Sequence, residues 1–156
     1  MNPGTRPARS SAGPLAAGGE PATHPDIPPR FRRAFPGQAD QVALARRFVA
    51  AALAGCPAAP DAILLTSELA TNAVMHSATG RGGFFSVAIS HAPGRVRVTV
   101  TDDGSATRPA VAVAAGDELA TSGRGLLLVD CLARGWGHAA DPASAGGAVW
   151  FELACT

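Results

Sequence analysis

The chain has 156 residues, 47% of them hydrophobic, enough for one domain that buries its own core without metals or cross-links. A net charge of +1, with no basic cluster interleaved with aromatic residues, leaves no footprint for direct nucleic-acid binding. Arg6 and Arg9 are followed by Ser, Gly, Ala and Pro rather than a continuous apolar run, so neither a signal peptide nor a membrane span is expected, and Cys56, Cys131 and Cys155 lack zinc-ligand spacing; buried thiols in a reducing, cytoplasmic compartment are expected.

In chain order, residues 1–29 are rich in Pro, Gly, Ser and Ala and carry almost no large apolar side chain, so they read as a disordered tail. The domain is expected over 30–155. "RFRRAF" from Arg30 alternates charge with phenylalanine, placing Phe31 and Phe35 on one face of an edge strand that stops at Pro36-Gly37. Apolar residues at 42, 44, 45, 48, 49 and 52 predict a helix over 38–53, ending before Gly55. A second helix is expected from Pro60-Asp61 to about Ser77, with Asp61 favourable in the first turn. "ATGRGG" breaks the chain, and "FFSVAISHA" and "RVRVTVTDD" alternate with period two around Pro93-Gly94, a β-hairpin pattern. Gly104 to about Ser122 has weak periodicity, enough for a short helix at most, and reads as a long mobile loop of the kind that often carries function. "GRGLLLVDCLA" enters a third helix, and one or two strands close the chain, the last being "GGAVWFELA". Helices grouped apart from hairpin strands predict an α+β two-layer sandwich, with a mixed, mostly antiparallel sheet and helices on one face.

Three segments carry polar chemistry. In "SELATNAVMHS", Glu68, Asn72 and His76 fall within roughly 80° of arc on the second helix. Leu65 shares that arc and Leu64, Leu69 and Met75 border it, so the polar line is expected in the middle of an apolar surface. A buried carboxylate needs partners, supplied by an internal network or by a polar ligand, and the internal network is the commoner solution for such a line alone. His76 reads as a structural helix-end residue, since no second His or Cys stands at ligand spacing. "VTVTDDGS" ends a strand in Asp102-Asp103-Gly104, which caps a turn or accepts from an exocyclic amine while glycine admits a ring. "SGRGLLLV" sets Gly123-Arg124-Gly125 before a helix, either as a flexible turn or as free N–H donors and a positive dipole end offered to phosphate.

These segments occur in the order, and on the elements, that a nucleotide site needs. "ELATNAVMHS", "VTVTDDGS", "GRGLLLVD" and "GGAVWFEL" together resemble the histidine-kinase-like (GHKL) ATP-binding domain, in its actinobacterial anti-sigma-factor/serine-kinase branch, over about residues 30–155. The resemblance implies ATP and Mg²⁺ as cofactors, with Asn72 as the Mg²⁺ ligand and Glu68 as the general base that orients a hydroxyl toward the γ-phosphate. It implies that Asp102 accepts the adenine amino group beside Gly104, and that Gly123, Arg124 and Gly125 close over the phosphates with Leu126 opening the helix behind them. The chain departs from the family pattern in two places. Ala106 replaces the second glycine of DxGxG, and Gly146-Gly147-Ala148 stands where Gly-Lys-Thr is common, removing a threonine hydroxyl expected near adenine. The implied activity is phosphorylation of an anti-sigma antagonist, with sequestration of a sigma factor when unopposed; the alternative is a nucleotide-dependent binding module without useful catalysis. A sensor histidine kinase is set aside, because residues 1–29 offer no dimerising phospho-acceptor helix. The implied partners are a sigma factor or antagonist protein, with homodimerisation left open.

Overall fold

The computed structural model describes residues 27–76, 78–103, 124–140 and 146–156. Most of the expected tail, the loop from Gly104 to Ser122, and Gly123 lie outside the described residues.

The elements follow the expected order: β1 (Phe31–Pro36), α1 (Ala39–Ala52), α2 (Ala59–His76), a 3-10 turn (Ala78–Arg81), β2 (Phe84–Ala92), β3 (Arg95–Thr101), α3 (Arg124–Leu132), β4 (Gly135–Ala140) and β5 (Gly147–Ala154). The five strands form one sheet in the order β1-β2-β3-β5-β4. All four pairings are antiparallel, so the sheet is uniform across the described strands where a mixed one was expected. The α+β sandwich itself is observed, and β1 is an edge strand as its sequence predicts.

Period-two alternation decides which face of the sheet is covered. Val87, Ile89, Val96, Val98 and Phe151 are fully buried toward the helices. Their neighbours on the other face include Arg97 and Glu152, paired at 2.9 Å, with the Arg97 guanidinium 4.3 Å above the Trp150 ring. On β1, Phe35 is buried and stacks on Phe85, whereas Phe31 on the same face is 37% exposed at the sheet corner.

Helix α2 begins with Pro60 and Asp61 in its first turn, where a missing N–H and a negative charge are both tolerated. It buries Ala62, Leu65, Thr66, Leu69, Ala70 and Ala73, at the spacing of one helical face. The expected centre of that face is corrected. The buried stripe lies to one side of the polar line. Leu65 and Leu69 are buried on its inner flank, but Leu64 (41%) and Met75 (62%) are exposed on its outer flank. Glu68, Asn72 and His76 therefore run along the border of the buried face, not through its middle.

The expectation of three buried thiols is also corrected. Cys56, in the α1–α2 connection, is disulfide-bonded to Cys155, just beyond β5, with Cα atoms 5.6 Å apart, and Cys131 on α3 is free and exposed. The bond removes the argument from free thiols for a reducing compartment. Among the described residues, no helix is long and apolar enough to cross a membrane.

Candidate functional site

Glu68 and Asn72 stand one turn apart on α2, both half-buried, while His76 one turn further on is exposed. What faces the first two is the start of α3. A Cβ built on Gly125 would lie 3.1 Å from Asn72 Nδ2, 3.1 Å from Glu68 Cβ and 3.7 Å from Glu68 Oε2. A methyl group here would press on both polar side chains, which would have to give by a few tenths of an ångström. Arg124 opens α3, and Leu126 and Val129 anchor it in the core at 4% and 0% exposure. From its outer side, Asp130 Oδ1 accepts from Trp136 Nε1 at 3.0 Å, tying α3 to β4.

Asp102 lies immediately beyond β3, where the sheet gives way to the loop. Its N–H donates to the Gly147 carbonyl at 2.8 Å, and its Oδ1 accepts from the Gly147 N–H at 3.3 Å. The acceptor carboxylate is thus fixed to the first residue of β5. Ala148, at the position of the missing threonine, pairs with Thr101 in β3 and Ala139 in β4.

The structure thus assembles the sequence-predicted residues into two groups: Glu68 and Asn72 facing Gly125 at the α2–α3 junction, and Asp102 with Gly147 at the β3–β5 seam. Gly104 and Gly123 lie outside the described residues. Sequence reasoning passed over Thr79 and Asp103, which frame Asp102 from the other side. Asp103 was visible only as half of an Asp-Asp doublet, and Thr79 as one residue of a chain break.

A carboxylate and a carboxamide thus stand one turn apart on α2, facing the first turn of α3, in a chain whose described strands form one open antiparallel sheet. The family model described as the histidine kinase-like ATPase domain matches residues 35–150. The chain belongs to this family. No curated protein matches it. The matched span runs from Phe35 in β1 to Trp150 in β5 and contains every candidate site residue named above.

Membership in a histidine kinase-like ATPase family implies ATP binding, and the donors present fit such a ligand. Asn72 offers a neutral oxygen and Glu68 an anionic one, both hard donors of the kind Mg²⁺ takes when it shares phosphate oxygens. Asp102 presents a carboxylate, and a carboxylate acceptor is the chemistry that an exocyclic amine requires.

Proposed function

We propose that the chain is an ATP-binding anti-sigma regulatory protein that acts as a serine/threonine-protein kinase on an anti-sigma antagonist. The observation that supports the reading is the placement of Glu68 and Asn72, a carboxylate and a carboxamide one turn apart, against Gly125 in the first turn of α3. The sequence likeness of residues 30–155 to the anti-sigma branch supports the choice of partner.

Asn72 would hold Mg²⁺ through its side-chain oxygen, and Asp102 would hold the adenine amino group. Arg124 and the flanking Gly123 and Gly125 would gather around the phosphates at the positive end of α3, with Leu126 fixing that end to the core. Bound Mg·ATP supplies a transferable phosphoryl group and neutralises charge on its oxygens. Glu68, half-buried beside α3, would accept the proton of the attacking serine or threonine hydroxyl.

The test is transfer from γ-labelled Mg·ATP to a candidate antagonist protein by the purified chain. Label on the antagonist, lost at least a hundredfold in Glu68→Gln, is the expected result for removal of a general base. Nucleotide-dependent antagonist binding without label, unaltered by Glu68→Gln, would replace the kinase with a binding module.

A further inference from the structure

The end of β3 is held by more than its ladder. Continuing the β2–β3 register outward from Ser86↔Thr101 brings Phe84 opposite Asp103, two residues along each strand. Alternate opposed residues in an antiparallel pair exchange both backbone N–H···O bonds, and a regular continuation would join these two directly. Instead, side chains stand between them. Phe84 N–H donates to Asp103 Oδ2 at 2.6 Å. Asp103 N–H donates to Thr79 Oγ1 at 3.0 Å, and the Thr79 hydroxyl in turn donates to the Phe84 carbonyl at 3.2 Å. The Thr79 hydroxyl is thus spliced into the ladder, using both its donor and an acceptor site, in a residue with 0% exposure.

The splice is itself anchored. The Thr79 carbonyl accepts from Gly83 N–H at 2.9 Å, and the Gly83 carbonyl accepts from Gly37 N–H at 2.9 Å, so the turn after α2 is bound to the end of β1. On the other side of β3, Asp102 is bonded twice to Gly147. Asp102 consequently sits between a side-chain-mediated spacer on its β2 side and a direct backbone link on its β5 side. The spacing of the spacer sets how far the strand end stands off β2, and with it where the Asp102 carboxylate lies.

From this geometry we propose that Thr79 and Asp103 are positioning residues for base recognition, fixing the Asp102 carboxylate without touching the nucleotide. The proposal rests on the reading above that Asp102 accepts the adenine amino group. It requires a hydroxyl at 79 and an acceptor at 103. Valine at 79 matches the size of threonine but leaves the Asp103 N–H and the Phe84 carbonyl unpartnered, whereas serine keeps both bonds.

The experiment measures binding of ATP and of inosine triphosphate, which lacks the amino group, by calorimetry on the full chain and on Thr79→Val, Thr79→Ser, Asp103→Ala and Asp102→Asn. The wild-type chain should prefer ATP by at least tenfold. Thr79→Val should lose about tenfold of that preference, mostly by weaker ATP binding, with inosine triphosphate binding retained. Thr79→Ser should restore the preference. Asp103 is exposed, so Asp103→Ala should fold even where Thr79→Val does not, and it should show the same loss. A wild-type preference kept in both Thr79→Val and Asp103→Ala overturns the proposal, as does a parallel loss of both nucleotides in both variants, which marks a purely structural role. If Asp102→Asn also keeps the preference, the adenine assignment itself falls and the positioning role falls with it; loss in Asp102→Asn alone removes only the positioning role.

Discussion

Asp102 is the residue at which the proposed adenine recognition can be tested with least disturbance to the fold. Its backbone N–H bond to Gly147 survives any side-chain change, and an asparagine oxygen can still accept from the Gly147 N–H. What Asp102→Asn removes is the negative charge and an acceptor for the adenine amino group, while adding an N–H donor where none is wanted. A hydrogen bond to a charged group contributes about 1.5–3 kcal/mol, so ATP affinity should fall roughly 10- to 100-fold in a calorimetric titration, with the melting temperature little changed. Unaltered affinity would place the base elsewhere. Glu68, Asn72 and Asp102 could be found in the sequence because each is a polar group where the local pattern calls for an apolar residue or a turn. Thr79 and Asp103 could not, since their pairing depends on how the turn after α2 meets the end of β3, a contact across 24 positions.

At the scale of the elements, helices and strands were legible because the apolar period changes cleanly between them, whereas the orientation of α2 was not. A count of apolar residues around Glu68 and Asn72 takes Leu64 and Met75 for buried, but the buried face is carried by Ala62, Leu65, Leu69, Ala70 and Ala73, to one side of that line. Thr66 on the same stripe is fully buried, and among the described residues its Oγ1 has no hydrogen-bond partner. Thr66→Val replaces an unsatisfied hydroxyl with a methyl group of the same shape and the same β-branched rotamer preference. It should stabilise the chain by about 1 kcal/mol and raise the melting temperature by roughly 3 °C; a lower melting temperature would show that the hydroxyl is satisfied. Gly125 makes the opposite case. A methyl group there meets Asn72 Nδ2 and Glu68 Cβ at 3.1 Å, and overpacking of this kind costs about 1–3 kcal/mol, offset in part by the higher helix propensity of alanine. Gly125→Ala should therefore cost about 1 kcal/mol of stability in denaturant titration while weakening ATP binding several-fold, because what moves is the site. Full ATP affinity in this variant would separate α3 from the nucleotide.

At the scale of the whole molecule, the Cys56–Cys155 bond joins the helical layer to the sheet across 99 positions of sequence. The pairing was not legible because the two cysteines meet only after the α1–α2 connection is folded over the last residues of the chain. Closing a loop of about 100 residues restricts the unfolded chain by up to about 4.7 kcal/mol in the chain-entropy account, and measured losses on removing such bonds are typically 2–5 kcal/mol. Its location determines what else it affects. Asp102 pairs with Gly147 at the first residue of β5, while Cys155 follows Ala154 at the other end of that strand. Eight residues of strand at about 3.3 Å each separate the bond from the proposed adenine site by roughly 26 Å. Stability and nucleotide binding should therefore respond differently to reduction. Thiol reductant, or the double substitution Cys56→Ser with Cys155→Ser, should lower the melting temperature by more than about 5 °C, and the double variant should no longer respond to reductant. ATP affinity measured well below the melting temperature should be the same in all three samples. One reactive thiol per unfolded, unreduced chain, that of Cys131, is the direct check; three would show the bond absent, and an affinity that falls with reduction would mean that the far end of β5 communicates with Asp102.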